Sequence, residues 1–188
     1  MGQESRRLLR LLRTVALVLL AGAAALAAVR ALRDRSELST GSARWIWYTR
    51  EIPEPSRLRF RAWKEFPIEG PPPASARLLF FADREWSLEV NGAAVSRGSQ
   101  KPGDALARFD VARFLRSGTN RLSVEVESSN GVGGVLLELE LPGGRALVTD
   151  GSWRVERLWP ASEGERAAVV WGRPPMYPWR YPGLEPRD

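Results

Sequence analysis

Residues 83–95 read DREWSLEVNGAAV. Trp86, Leu88 and Val90 alternate with Ser87 and Glu89, and the run ends in Asn91-Gly92. A period of two predicts a strand with one dry face, and Asn-Gly tolerates the two positive φ angles that a tight hairpin turn needs. The stretch therefore predicts a β-hairpin that points Trp86, Leu88 and Val90 into a core.

Working outward, the same texture recurs in WIWY at 45–48, LRFRAWKEF at 58–66, ARLLFFA at 76–82, RLSVEVE at 121–127, VLLELEL at 135–141, ALVT at 146–149 and WRVERL at 153–158. Turn chemistry separates these runs: PPP at 71–73, PGD at 102–104, SGTN at 117–120, a glycine-rich stretch at 131–134 and PGG at 142–144. Many short strands at this spacing predict one all-β sandwich or barrel. Alternation expects Leu122, Val124 and Val126 inside and Glu125 and Glu127 outside, with Val135, Leu137, Leu139 and Leu141 inside opposite Glu138 and Glu140. Leu78, Leu79, Phe80 and Phe81 are apolar on both faces, so that strand is expected to lie centrally, its second face covered by loops or the C-terminal segment. Between the strands, FDVARFL at 109–115 predicts one helical turn with Asp110 as N-cap and with Phe114 and Leu115 packed inward.

The first forty residues differ in kind. Residues 14–29, TVALVLLAGAAALAAV, carry no charge and lie between Arg6, Arg7, Arg10 and Arg13 on one side and Arg30, Arg33 and Arg35 on the other. Sixteen helical residues reach roughly 24 Å against a hydrocarbon core of about 30 Å, so a span needs the flanking leucines and arginine side chains that reach back to the interface. The segment is read as an N-terminal membrane anchor, the competing account being a signal peptide cleaved after Ala27; the arginines just beyond that point disfavour cleavage. Both accounts export the remainder of the chain, giving either a single-pass membrane protein with an extracytoplasmic C-terminal domain or a secreted one. The expected organisation is residues 1–35 as anchor or signal segment, 36–44 as linker, 45–158 as β-sandwich, and 159–188 as a proline- and aromatic-rich strap across it. A short strand, AAVVW at 167–171, is expected near the start of the strap.

Composition excludes much chemistry. The 188 residues contain no cysteine and no histidine, which removes thiol nucleophiles, disulfides, imidazole bases and the usual zinc ligands. The net charge of +6 is concentrated at the start, where seven arginines face three acids, leaving +2 for everything after Thr40. With a nearly neutral exported part, no nucleic-acid partner is expected.

Taken in order, ARWIWY, FRAWKEF, ARLLFFADREWSLEVNGAAV, ARFDVARFLRSGTNRLSVEVES, GVLLELEL and LVTDGSWRV resemble the galactose-binding-like jelly-roll domain at the N-terminus of family 2 glycoside hydrolases and in bacterial α-L-rhamnosidases. The closing WGRPPMYPW is similar to the aromatic strap of many such domains. The resemblance implies an accessory module beside a catalytic domain, one that in some relatives binds sugar, often with a calcium ion, and in many only packs against neighbours. Nothing after residue 158 is long enough for a glycosidase barrel. The expected function is therefore a non-catalytic, membrane-tethered, carbohydrate-binding-like module; the alternative is a structural or protein-interaction subunit of an envelope complex without sugar affinity.

Five residues are candidates for ligand binding. Trp63 lies on the opposite side of its strand from Leu58 and Phe60 and is expected to be exposed for stacking on a sugar, followed by Trp47 and Trp179. Trp45, Trp86 and Trp153 are expected to be structural. Asp83, with Glu85 two residues on, is a candidate for calcium or a sugar hydroxyl, against a local turn in which it pairs with Arg84. Asn130 sits in SSNGVGG, a loop at one end of the expected sandwich. The glutamates at 85, 89, 125, 127, 138 and 140 contain no evident glycosidase pair and are read as solvated faces.

Overall fold

Eleven consecutive residue pairs join strand β2 (Leu58–Ile68) to strand β7 (Gly118–Ser128) without a register shift, from Leu58 opposite Ser128 to Ile68 opposite Gly118. This ladder is the centre of one of two antiparallel sheets in the structure, a computed structural model that describes residues 13–27, 40–50, 57–129, 133–160 and 163–174. The chain divides into two units, residues 1–39 and 40–188.

The described part of the first unit is a helix, α1, over residues 13–27. Leu17, Val18, Leu19, Leu20 and Leu26 on it are each more than half exposed. Among the described residues, no helix is long and apolar enough to cross a membrane. The expected span, 14–29 with its flanks, runs past the described residues at both ends.

In the second unit, the sheet around the central ladder, sheet B, adds β4 (Arg84–Val90), β5 (Ala93–Gln100), β10 (Arg154–Trp159) and β11 (Glu163–Ala167) in the order β11-β10-β2-β7-β4-β5. The opposing sheet A contains β1 (Trp45–Trp47), β3 (Arg77–Ala82), β6 (Ala107–Asp110), β8 (Val135–Leu141) and β12 (Val169–Gly172) in the order β12-β1-β8-β3-β6, with β9 (Arg145–Val148) also paired to β8. The opening hairpin is β4–β5, and its turn places Asn91 at φ 55° and Gly92 at φ 78°, the left-handed pair that Asn-Gly favours. Asn91 is also fixed by its side chain, which donates to Phe114 O and Asn120 Oδ1 at 2.8 Å and accepts from Arg121 N at 2.9 Å.

The core lies between the sheets. Phe60, Ala62, Leu88, Val90, Leu122, Val124, Val126 and Val155 from sheet B meet Ile46, Leu78, Phe80, Ala82, Val135, Leu137 and Leu139 from sheet A, all at 0 % exposure. The alternation expected of β7 and β8 holds to Leu139; Leu141 is only partly buried. Each fully buried Val, Leu or Phe contributes about 1.5–3 kcal/mol, so an inner face of this size dominates the stability. Trp45, Trp86 and Trp153 are buried as expected.

Sheet A is also covered on its outside. Trp45, Phe81 and Leu136 form a second buried cluster with Ala43 and Leu106, against which Val148 and Trp171 pack. The strand apolar on both faces, β3, is thus buried on both, under loop residues and the β12 tryptophan. Packing begins before Trp45: Arg44 N donates to Thr149 O at 2.8 Å and Ala43 is 1 % exposed.

The helical turn expected near Asp110 is a 3-10 turn, Ala112–Phe114, whose cap residue is Val111. Asp110 stands one residue earlier, where its Oδ1 accepts the N–H groups of Ala112 at 3.0 Å and Ala76 at 3.1 Å. It ties this turn to the entry of β3, and the two bonds hold its carboxyl below the usual carboxylate range. Leu115 is buried and Phe114 partly so.

Gly133 marks a close approach, because a Cβ there would lie 2.3 Å from the Trp47 ring. Gly133→Ala is expected to lower stability by about 1–3 kcal/mol in chemical denaturation. Gly164→Ala, with nothing within 4 Å and an exposed backbone, is expected to leave the midpoint unchanged.

Candidate functional site

The inner residues of β2 and β7 force the alternate ones onto the outer face of sheet B, and there the register sets them in rows. One row crosses five strands: Trp159 opposite Arg59, Arg59 opposite Glu127, Glu127 opposite Glu85, and Glu85 opposite Ser99. The next row is Glu156, Arg61, Glu125, Ser87 and Arg97. Five strands about 4.8 Å apart give each row a span of roughly 19 Å.

Trp159 joins this face because of a bulge. Strict alternation from Trp153 and Val155 would turn it inward with the core. Arg157 pairs with Phe60 and Trp159 with Arg59, which leaves Leu158 as the extra residue and brings the next side chain to the other face. Trp159 is 47 % exposed, the one large apolar side chain outside α1 that the described residues leave open to solvent.

Ion pairs hold the rest in place. Arg57 binds Glu127, Arg59 binds Glu125, and Arg61 spans Glu125 and Glu156 at 3.1 Å each. Partly exposed pairs of this kind contribute about 0.2–1 kcal/mol apiece, so they organise the face more than they stabilise the fold. Glu85 faces the like charge of Glu127 across the strands, and neither Glu85 nor Arg97 forms an ion pair among the described residues. Three shallow hollows of about 310, 260 and 430 Å³ lie along the rows and share Arg57, Arg59, Glu85 and Glu127 between them. The arrangement offers an aromatic plane beside fixed carboxylates and guanidiniums, which suits a ligand with an apolar face and many hydroxyls.

A larger hollow, about 580 Å³, lies at the edge of sheet A beside Pro73, Arg77, Arg108 and Phe109. Its two carboxylates are committed, Asp110 to backbone N–H groups and Glu140 to Arg77. Near it, Glu138 has its carboxyl pushed up by burial, then by Glu140, with Arg77 acting against both.

The structure does not gather the three described candidates, Trp47, Trp63 and Asp83, into one site. The expected exposure of Trp63 and Trp47 is corrected. Trp63 does lie on the outer face, opposite Ser123 and Arg154, yet it is 6 % exposed, with the Arg121 guanidinium 4.8 Å over its ring. Trp47 is a core residue, edge-to-face on Phe60 at 4.5 Å. Asp83 is buried at the β3–β4 connection, where its N–H donates to Gly134 O at 3.0 Å and the Nε of Arg84, held at φ 90°, stands 3.6 Å from its carboxylate. That matches the local-turn account. Asn130 and Trp179 lie outside the described residues. A calcium ion finds no ligand set here, since Asp83 abuts a guanidinium and no group of three or more acidic side chains among the described residues is placed to hold a metal.

The sequence alone marks Glu85 and Glu127 as a solvated face and singles out neither Trp159 nor Arg59. The alternation of 57–61 and 123–127 was the available signal for the polar rows. The bulge that turns Trp159 outward leaves no mark in composition or period.

No protein-family model matches the chain, and no curated protein matches it in sequence. Solved structures do. A GH78 family rhamnosidase of Bacillus sp. GL1 is similar at 27 % identity and a TM-score of 0.64, over 75 % of this chain and 19 % of that one. The Streptomyces avermitilis α-L-rhamnosidase, solved with L-rhamnose, is similar at 25 % and 0.57, over 75 % and 16 %. The lectin of Pleurotus ostreatus is similar in fold, at 22 % and 0.59, over 76 % and 46 %. The chain thus spans less than a fifth of the rhamnosidases it matches and under half of the lectin. The fold is of the galactose-binding-like jelly-roll type to which these belong.

Because Glu138 binds its proton more tightly folded than unfolded, it lowers stability increasingly as pH rises from the ordinary carboxylate value through its raised folded value. Glu138→Gln is expected to raise the unfolding midpoint at pH 7, with the gain shrinking toward zero below the ordinary carboxylate range; a pH series of thermal melts checks this.

Proposed function

We propose that the protein is a non-catalytic carbohydrate-binding-like module whose ligand lies on the outer face of sheet B, with the sandwich on the extracytoplasmic side of a membrane to which residues 1–35 tether it. The observation that carries the binding part is the half-exposed Trp159 ring at the end of a row of fixed polar side chains, on a fold similar to a domain-sized region of rhamnosidases. A sugar presents an apolar ring face for the indole and hydroxyls that donate to Glu85 or accept from Arg97, the two charged groups of these rows without an ion-pair partner among the described residues. The absence of catalysis is supported by how the carboxylates are held. A glycosidase needs one carboxyl kept protonated beside one that ionises, whereas Glu125 and Glu127 are both held by arginines, and the one carboxyl pushed up among the described residues, Glu138, lies on the other sheet.

The full chain on a glycan array, with and without added calcium, is expected to bind a subset of sugars in a calcium-independent manner. Silence across plant, bacterial and host glycans would shift the reading to a protein-interaction subunit, and hydrolysis of chromogenic glycosides above a blank would overturn the non-catalytic part.

The membrane part is supported by the leucines and valines that α1 exposes and by the arginines that flank the apolar run. The chain is expected in the carbonate-resistant membrane fraction, and deleting residues 1–39 is expected to release the sandwich. Intact mass of the extracted protein tells an uncleaved anchor from a cleaved signal peptide.

A further inference from the structure

We infer that the outer face of sheet B is a platform for an extended, uncharged oligosaccharide that runs across the strands from Trp159 toward Ser99 and Arg97; this rests on the carbohydrate-binding reading above. Three features carry it.

The first is shape. The three hollows are open, they adjoin through shared side chains, and they follow rows that span five strands, roughly 19 Å. A pocket for a single terminal sugar would instead enclose its ligand on several sides and draw its groups to one point. Here the polar groups are strung out in a line, with one aromatic plane at one end.

The second is charge. Arg57, Arg59, Arg84 and Arg97 stand among Glu85, Glu125 and Glu127 along the hollows, so the two signs are mixed at nearly equal number. A polyanionic glycan would meet Glu85 opposite Glu127, two carboxylates side by side in the middle of its path, and would be repelled there. Hydroxyls meet no such penalty, because they donate to carboxylates and accept from guanidiniums alike.

The third is order. Arg57, Arg59 and Arg61 are already tied to Glu125, Glu127 and Glu156, so these side chains are set before a ligand arrives. Binding then loses little side-chain freedom, which favours a shallow platform that gains a modest amount from each sugar along its length. Trp63, on the same face one row further along β2, is closed off by Arg121, and this ends the open surface on that side.

The test is calorimetric titration of the full chain in detergent with ladders of neutral cello-, manno- and rhamno-oligosaccharides, from monosaccharide to hexasaccharide, and with oligogalacturonate as the charged control. In the neutral ladder that binds, affinity is expected to rise by roughly tenfold or more between monosaccharide and tetrasaccharide. It is expected to stay within about twofold between dilute buffer and molar salt. Trp159→Ala is expected to weaken the hexasaccharide by about tenfold or more, with the sandwich still melting in one cooperative transition, since the ring is half exposed and outside the core between the sheets. Arg97→Ala is expected to weaken long oligosaccharides while sparing the disaccharide. Equal affinity for monosaccharide and hexasaccharide, preference for oligogalacturonate, or undiminished binding by Trp159→Ala would each overturn the platform and leave carbohydrate binding standing. No binding to any of these sugars, together with a silent glycan array, would overturn both.

Discussion

The register between β2 and β7 is the constraint on which the rest depends. Eleven pairs in unbroken step mean that one choice of side decides the facing of twenty-two residues. With Phe60, Ala62, Val124 and Val126 inside, Arg59, Arg61, Glu125 and Glu127 have to be outside and opposite one another. A slip by one residue would bury four charges and expose the core, so hydrophobic burial enforces the polar pattern on the far side. The ion pairs of the outer face arise from the dry face beneath them.

The two sheets treat their outer faces differently. Sheet A carries apolar residues there, and Ala43, Leu106 and Trp171 close over Trp45, Phe81 and Leu136. That surface is spent on stability. Sheet B carries short polar rows that no second layer could cover without stranding charges away from water. It stays open for that reason, and the open polar face is where a ligand of many hydroxyls has groups to meet.

One irregularity adds what a flat charged ladder lacks. The extra residue Leu158 turns Trp159 from the core side to the row of Arg59. Bulges commonly re-aim a side chain at the rim of a sheet. Without it, the face would have hydrogen-bonding groups but no exposed aromatic plane.

Much of the fold was determined by the sequence alone. The positions of β1 to β4, β7 to β10 and β12, the Asn91-Gly92 hairpin, the inward faces of β2, β4 and β7, and the doubly buried β3 derive from local period and turn chemistry, whereas β6, expected in part as a helical turn, and β11, expected as part of the strap, do not. Which outward residues reach solvent was decided only by tertiary structure, because exposure depends on neighbours distant in sequence. Trp63 points to the outer face as alternation requires, yet Arg121 from a different strand covers it. Trp159 should point inward by the same rule, yet the alignment of β10 with β2 inserts a bulge and turns it out. Side-chain period is a property of one strand, whereas burial is a property of the pair, and the candidate site is made where the two disagree.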